Sequence, residues 1–270
     1  MRRLQGFTLI ELVITLVLLA ILAIATSDFL RTGSLIYRQG ADRQVLLGEA
    51  RFAIERLNRE LHNSLPNSAM LSPNSANAAD HCLSFVPTFS SHTYIDLPIA
   101  PSYSASASIV TSLNQPSFSA VGSAWLSVYV LNSDEVLNAN GALVDANCTA
   151  ATGKVFCLSN ISADASSGVS TVNFAGSVSV STDSPAQRAF ILGEPIRYCV
   201  EGSKLLRFQP ADSGNGVLMA SKLEVNSAVQ PFQVSPASLT RNGLVNLRLR
   251  FVENQEVVEF NHDIVVLNQP

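Results

Sequence analysis

Charged residues are scarce in this chain, and basic residues are never concentrated. Only 14% of its 270 residues are charged, and the formal net charge is −4 at pH 7. No run of five or more lysines and arginines occurs. Proteins that bind nucleic acid usually carry a basic patch that neutralises phosphates. The sequence therefore predicts no nucleic-acid partner.

Signatures of catalysis and cofactor binding are also missing. The sequence has no G-x-S-x-G elbow, no Walker A loop and no G-x-G-x-x-G loop. Its four histidines are scattered: His62, His81, His92 and His262. Only His81 adjoins another ligand type, Cys82, and no spacing matches a zinc site. We therefore expect no enzyme activity, no cofactor and no metal ion, with calcium at Asp134 and Glu135 as the weaker alternative.

Proline is absent before Pro66, so no proline interrupts a long N-terminal helix. Residues 7–26 are almost wholly apolar, and as a helix they would span about 30 Å, the thickness of a bilayer core. Arg2 and Arg3 precede this run. Because flanking arginines stay on the cytoplasmic side, the rest of the chain should face outward.

Glu11 is the one acidic residue inside this apolar run, and it separates three interpretations. A cleaved secretory signal would explain the basic start and the small residues at Ala23 and Ala25. An ordinary membrane anchor would explain the length. Neither explains a carboxylate at this position, where a charge is unfavourable. In the third interpretation Glu11 has a function.

The segment RRLQGFTLIELVITLVLLAILA resembles the class III signal and first helix of type IV pilins and type II secretion pseudopilins. The matching parts are a short basic leader ending in Gly6, then Phe7, Thr8-Leu9-Ile10-Glu11 and an apolar helix. The resemblance implies that a prepilin peptidase cuts between Gly6 and Phe7 and that the new amine of Phe7 is methylated. Glu11 would then pair with the Phe7 ammonium of a neighbouring subunit and set the register of a filament.

Four parts of the chain follow from this resemblance. They are a leader at 1–6, a transmembrane and filament-core helix at 7–26, an amphipathic helix at 27–65 and a β-rich periplasmic globular domain at 66–270.

The amphipathic part carries one apolar stripe. It is formed by Ala50, Ile54, Leu57 and Leu61 and is extended by Phe29, Ile36 and Leu47. Charge pairs at four-residue spacing are predicted on the solvated side, namely Arg51/Glu55, Glu55/Arg59 and Arg56/Glu60. Pro66 is predicted to end the helix.

Beyond about residue 80 the apolar period changes to two, which predicts β-strands. The predicted strands are 82–87, 125–131, 154–158, 169–180, 195–200, 204–209, 216–225, 244–252 and 256–267. Short turns at 201–204 and 253–255 predict antiparallel hairpins. Two serine-rich stretches, 102–123 and 162–184, are either strands broken by loops or long surface loops. The whole pattern predicts an α+β fold, with a long helix followed by an antiparallel β-rich domain.

Four cysteines are present, and none lies in a C-x-x-C pair. An even number behind a membrane-directed N-terminus indicates an oxidising compartment. Cys148 and Cys157 are close in sequence, and closing such a loop contributes on the order of 3 kcal/mol. Cys82 and Cys199 would then pair by elimination, which is one of three connectivities. Free buried thiols are the alternative.

The later sequence resembles the larger minor subunits of the J/W type. The similar segments are FAIERLNRELHNSLPNS, CLSFVP and GEPIRYCVEGSKLLRF. This resemblance implies a structural subunit without catalysis, located near a filament tip, that primes assembly. Its partners would be prepilin peptidase, other minor and major pilins, and the inner-membrane assembly platform. The subunit would lie in the inner membrane before assembly. A type II secretion pseudopilin of the J type and a tip adhesin remain alternatives.

Overall fold

One long helix begins the fold. The computed structural model describes residues 8–74, 77–111, 122–164, 168–209, 214–225, 230–238, 241–254 and 256–266. Helix α1 (Leu9–His62) has 54 residues, so at 1.5 Å per residue it is about 80 Å long. Thr8 caps its start, because the Thr8 hydroxyl accepts a hydrogen bond from the Glu11 N–H at 3.4 Å.

The helix ends at His62, before the proline that was predicted to end it. Asn63 leaves helical geometry, with φ −99° and ψ 17°, and its N–H donates to the Leu61 carbonyl. The Ser64 hydroxyl donates to the same carbonyl at 2.6 Å. The prediction that Pro66 ends the helix is therefore wrong, because Asn63 and Ser64 close the last turn first.

Fifteen strands follow in the described part of the chain. They are β1 (Met70–Asn74), β2 (Asn77–Phe85), β3 (Thr88–Asp96), β4 (Ser104–Val110), β5 (Trp125–Val128), β6 (Thr152–Gly153), β7 (Val155–Asp164), β8 (Val169–Val180), β9 (Arg188–Leu192), β10 (Ile196–Glu201), β11 (Lys204–Phe208), β12 (Val217–Ala220), β13 (Phe232–Ser235), β14 (Gly243–Glu253) and β15 (Glu256–Val266). A short 3-10 helix spans Ser133–Glu135. The predicted α+β class, a long helix and then an antiparallel β-rich domain, is confirmed.

Two sheets pack against the C-terminal part of α1. One has the order β1-β2-β10-β11-β12, and the other has the order β13-β14-β15. Their shared core contains Leu57 and Leu61 from the helix, Tyr198 from β10 and Phe251 from β14. We call α1 together with these two sheets the frame.

The remaining strands close on themselves. They follow the order β4-β3-β9-β5-β7-β8, and β4 also pairs with β8, which completes a six-stranded ring. β6 adds to β8 as a parallel edge. Every strand of the ring contributes to one separate core, with Tyr94, Ile109, Leu126, Phe156, Val172 and Ile191 among its residues. The ring is therefore a small barrel filled by side chains.

This barrel is an insertion between two paired strands of the frame. The chain leaves β2 at Phe85 and returns in β10 at Ile196, and these two residues lie opposite each other in the sheet. Among the described elements, extensive contacts stay within the barrel or within the frame. A third cluster joins the two parts and includes Leu65, Val86, Trp125 and Leu143.

Both predicted hairpins are confirmed. In β10–β11 the last pair is Glu201 with Lys204, and Gly202 in the turn has φ +58°. In β14–β15 the last pair is Glu253 with Glu256, and Asn254 has φ +46°. Glycine and asparagine tolerate this left-handed conformation best, which is why these turns were recognisable.

The serine-rich stretches are partly strands. β4 lies in the first stretch and pairs with β8, which lies in the second. Residues 112–121 and 165–167 lie outside the described residues. Serine is compatible with these strands because its small side chain alternates with buried Ala107 and Ile109.

Candidate assembly site

The predicted processing site lies at the edge of the described chain. Gly6 and Phe7 are outside the described residues. Glu11 is the third residue of α1, and it is exposed. A carboxylate in the first turn is favoured by the helix dipole, because the N-terminal N–H groups carry partial positive charge. The structure therefore presents the carboxylate at the start of the helix, where no described residue covers it.

The N-terminal part of α1 has no cover from the rest of the chain. All residues at 8–41 are exposed, and Leu9 and Phe29 are 83% and 77% exposed. We call residues 8–41 the free half of the helix. Phe29 and Ile36, predicted to extend the apolar stripe, are exposed, because the two sheets contact only the later turns of the helix.

The free half has the properties of a membrane span. Among the described residues, α1 is the one helix long and apolar enough to cross a bilayer, with a most apolar stretch of mean hydropathy 2.8. Hydroxyls inside it bond to the helix backbone: Thr15 donates to the Leu12 carbonyl at 2.9 Å and Thr26 to the Leu22 carbonyl at 2.8 Å. These polar groups need no water, which suits an apolar surrounding.

The C-terminal part, residues 42–62, is the docked half. Leu46, Ala50, Ala53, Leu57 and Leu61 are buried in it. They recur every three or four residues and form one stripe against β12, β14 and β15. Ile54, predicted to belong to this stripe, packs at its margin.

A cluster of charged and phenolic groups fastens this docked half to the five-stranded sheet. The Tyr198 hydroxyl donates to Glu60 Oε2 at 2.8 Å. Arg207 Nε lies 3.1 Å from both Glu60 oxygens, and Arg56 Nε lies 3.1 Å from Oε1. Arg207 is only 7% exposed. We call Glu60, Tyr198, Arg207 and Arg56 the Glu60 cluster.

The sheet register brings this cluster together. Tyr198 of β10 and Arg207 of β11 lie directly opposite each other. Burial, and then the neighbouring Glu60 carboxylate, raises the pKa of the Tyr198 hydroxyl. The phenol therefore stays protonated and can donate. The sequence predicted the Arg56/Glu60 pair on the solvated side, whereas the two side chains are half-buried, at 31% and 16% exposed. The available signal was that Glu60 is next to Leu61, a residue of the buried stripe.

Two further polar contacts hold the docked half. The Glu49 carboxylate accepts from both the N–H and the hydroxyl of Ser221, each at 2.8 Å. Asn254 Nδ2 donates to Asp42 at 2.9 Å. Of the three predicted four-residue charge pairs, only Arg56–Glu60 forms an ion pair within this described helix.

The four cysteines form two disulfides. Cys82 of β2 is joined to Cys199 of β10, and the two residues are opposite each other in the sheet. This bond lies at the base of the insertion and bridges the strands that flank it. Cys148 is joined to Cys157 across a separation of nine residues. Disulfides fit an extracytoplasmic head.

The loop closed by the second disulfide is organised by Asp145. This buried carboxylate accepts from the N–H groups of Thr149 and Ala150 at 2.8 Å and of Cys157 at 3.0 Å. The Trp125 indole N–H donates to the Asp145 carbonyl at 3.0 Å. Trp125 is 4% exposed and therefore belongs to the core.

Histidines and acids are not gathered into a metal site. His62 and His262 are exposed, and buried His92 contacts Ser90 and the Val110 carbonyl. The side chain of His81 is outside the described atoms. Within the described ranges, no three potential ligands lie together.

Glu135, one of the two acids considered for calcium, already has donors. Lys154 Nζ lies 2.7 Å from it, and the N–H groups of Leu131 and Asn132 donate to it at 2.8 and 3.3 Å. Burial acts to raise the pKa of Glu135, but these hydrogen bonds outweigh burial and lower it. This environment satisfies the carboxylate without a metal ion and does not favour the calcium alternative.

Comparison with known families adds one finding. Residues 1–27 match the prokaryotic N-terminal methylation motif. No curated protein and no solved structure matches the chain. The motif supports the type IV pilin and pseudopilin family and thus a subunit of a pilus or pseudopilus.

This match agrees with the geometry of α1. The motif implies processing by prepilin peptidase and association with other pilins, and it indicates a structural subunit rather than an enzyme. One apolar N-terminal helix together with the motif fits a protein anchored in the inner membrane.

Proposed function

We propose that this chain is a minor pilin-like subunit that primes assembly of a type IV pilus, near the filament tip. The observation that carries the proposal is the free half of α1. It presents an apolar surface that no described residue covers, with Glu11 in its first turn. Such a surface needs lipid or other subunits around it.

Glu11 supplies the register of assembly. A carboxylate in apolar surroundings is tolerated when a cation pairs with it. Cleavage between Gly6 and Phe7 creates a cation, the ammonium of Phe7. The Phe7 ammonium of a neighbouring subunit reaches Glu11 only when the two helices are staggered along a filament. The pair therefore selects one arrangement of subunits more than it adds stability.

The proposal assigns a place to each part of the chain. Residues 1–6 are the leader, 7–26 the membrane and filament-core helix, 27–65 the amphipathic helix and 66–270 the periplasmic globular domain. The subunit waits in the inner membrane until the assembly platform extracts it, and it then lies in the pilus tip. The inserted barrel enlarges the head, and a large head fits more easily at a tip than within a crowded shaft.

The particular pilus is proposed from sequence resemblance. The segments GEPIRYCVEGSKLLRF and VVLNQP resemble MshO, a biogenesis protein of the mannose-sensitive haemagglutinin (MSHA) pilus. J-type secretion pseudopilins are usually shorter, which favours the pilus over the secretion system.

The decisive experiment replaces Glu11 with alanine in the cell. We expect Glu11→Ala protein to be cut normally, with Phe7 as its methylated first residue, yet to be absent from filaments, so that pili are lost. Mass spectrometry of the N-terminus and electron microscopy measure the two outcomes. Glu55→Ala, which removes an exposed carboxylate from the docked half, is the matched control and should support normal piliation.

Two results would contradict the proposal. Normal numbers of pili in Glu11→Ala would show that the carboxylate has no role in assembly. A mature chain beginning at Thr26 would indicate a secretory signal. Deletion of the whole gene separates the remaining functions: intact pili with blocked export of folded enzymes would indicate a J-type pseudopilin, and intact pili without adhesion a tip adhesin.

A further inference from the structure

A deep cleft lies where the inserted barrel meets the frame. Its volume is about 770 Å³, within the usual range for small-molecule sites of roughly 300–1,000 Å³. Trp125, Asn140, Glu194, Arg197, Leu206 and Phe208 are among the residues that line it. We call this space the junction cleft. Ligand sites are common at such boundaries between structural units.

The junction cleft faces away from the helix. Along β10, Ile196, Tyr198 and Val200 point into the core beneath α1, so Arg197 between them points to the opposite face. A filament assembled through α1 would therefore leave the cleft open. Assembly and ligand binding can use different faces of the same sheet.

The polar groups of the cleft are held in position before any ligand binds. The Arg197 guanidinium lies 5.8 Å from the centre of the Phe208 ring and donates to the Asn140 carbonyl at 3.2 Å. Gly141 has φ +74°, and a Cβ there would clash with Ser84 Oγ of β2. The Asn140–Gly141 segment, which forms one wall of the cleft, can therefore lie this close to the sheet only because residue 141 is glycine. A preformed site loses little conformational freedom on binding.

The charges of the lining exclude one class of ligand. Among the described residues, two carboxylates, Glu194 and Glu201, and one guanidinium, Arg197, line the cleft. This balance disfavours phosphate, sulfate and other anions. A guanidinium has paired donors and a carboxylate has paired acceptors, so each can form hydrogen bonds with two adjacent hydroxyls of a ligand.

A peptide strand is also disfavoured. β10 and β11 form the floor, and each is paired on both sides within the five-stranded sheet. Their backbone groups are therefore not available for an added strand. Part of the apolar floor is covered, because Arg197 lies over Phe208 and Gly216 packs so closely that a Cβ would lie 2.7 Å from this ring.

We propose that the junction cleft binds a short uncharged saccharide, a function separate from filament assembly. Glu194 and Arg197 bond to neighbouring hydroxyls of the ligand, and the Asn140–Gly141 wall encloses it. This is a binding role only, with no bond made or broken. The proposal does not depend on the role of Glu11, because the junction cleft lies on the face of the sheet opposite to α1.

Trp125 provides a direct readout. It is the only tryptophan of the chain and lines the cleft, so its fluorescence should change when a ligand enters. The full chain is purified in a detergent without a sugar headgroup, since such a headgroup would compete. The probes are maltotriose, cellotriose and tri-N-acetylchitotriose, with sialyllactose as an anionic comparison and a neutral hexapeptide as a peptide comparison.

We expect at least one neutral trisaccharide to give a saturable fluorescence change. Loss of the charge in Glu194→Gln, and loss of the paired planar N–H donors in Arg197→Lys, should each weaken this binding about tenfold or more. Glu256→Gln, in the β14–β15 hairpin, is the matched control and should bind like the unaltered protein. Circular dichroism checks that each variant is folded.

Three outcomes would overturn the proposal. In the first, no neutral saccharide binds, by fluorescence or by equilibrium dialysis. In the second, both cleft variants bind as the unaltered protein does. In the third, sialyllactose or the hexapeptide binds while the neutral saccharides do not. Filaments that still form in Glu194→Gln would show that a failure here is distinct from a failure of assembly.

Discussion

The two halves of helix α1 both carry apolar side chains, but those side chains have opposite surroundings. In the free half, residues 9–25 are apolar on nearly all sides of the helix apart from Glu11 and Thr15, and residues 8–41 are all exposed. The docked half concentrates its apolar residues in one stripe, from Leu46 to Leu61, and buries it beneath two sheets. A helix apolar on one side is completed by its own chain, whereas a helix apolar all round needs lipid or other subunits. One end of this continuous helix therefore belongs to the folded head, and the other end is left for lipid or other subunits.

The strongest challenge to this comparison is removal of Glu60. Glu60→Ala removes the carboxylate that accepts from Tyr198, Arg207 and Arg56, and removing one member of a largely buried ion pair costs about 3–5 kcal/mol. We expect urea unfolding of the frame, followed by circular dichroism in detergent micelles, to shift by this amount. Glu55→Ala, on the exposed side, should change stability by less than about 0.5 kcal/mol. Equal effects of the two variants would mean that the Glu60 cluster does not fasten the helix.

A matched pair of leucines tests packing. Leu57 is 1% exposed and Leu16 is 59% exposed. Leu57→Ala should destabilise the head by about 2–5 kcal/mol, because it removes buried methyl groups and leaves a cavity. Leu16→Ala should leave the urea midpoint of the head unchanged. A comparable loss in Leu16→Ala would show that the free half contributes to folding of the head.

The pH dependence of unfolding tests the docked half through Tyr198. Its pKa is raised in the folded state by burial and by Glu60, relative to an ordinary value of 10.0. The stability that depends on the neutral phenol is therefore complete below about pH 10 and decreases as the pH rises above it. Tyr94, whose pKa is raised to about 12 by burial and by Asp183, acts in the same direction.

In Tyr198→Phe the unfolding free energy should decrease less steeply above pH 10 than in the unaltered protein. At pH 7 the variant should lose about 1 kcal/mol, the net contribution of one hydrogen bond. Urea unfolding between pH 7 and pH 11 measures both effects. If the unfolding free energy of Tyr198→Phe falls above pH 10 as steeply as that of the unaltered protein, the Glu60 cluster does not keep the Tyr198 phenol neutral.

The smallest expected effect comes from two glycines. A Cβ at Gly33 or at Gly48 would meet no atom within 4 Å. Alanine favours an exposed helix over glycine by about 0.5–1 kcal/mol. Gly48→Ala should stabilise the head by this amount, since its half of the helix folds with the sheets. Gly33→Ala should not, and an equal gain in both would mean that the two halves form a single folding unit.

Sequence patterns predicted the elements that depend on neighbouring residues. The β10–β11 hairpin was recognisable because Gly202 accepts the backbone conformation of the turn. β8 was predicted with its observed bounds, Val169–Val180, because apolar residues alternate along it. Strands β3 and β9 were not predicted. β9 is buried along most of its length, so it lacks the alternation of a strand with one wet face.

The Glu60 cluster and the junction cleft were beyond such reasoning. Glu60 meets Tyr198 across a separation of 138 residues, and periodicity over a few turns of helix carries no information about so distant a partner. The cleft likewise needs Asn140 of the insertion beside Arg197 of the frame. Contacts of this range depend on the pairing of whole strands.

The sequence by itself determined the helix, its apolar N-terminal run with Glu11, the methylation motif and the two hairpins. Each of these depends on residues close along the chain, where spacing, turn chemistry and hydropathy act directly. Only the tertiary structure decided that β4 closes onto β8, that Glu60 meets Tyr198 and Arg207, and that a cleft lies between the barrel and the frame. Those features result from the joint burial of apolar faces far apart in sequence, which no single segment specifies.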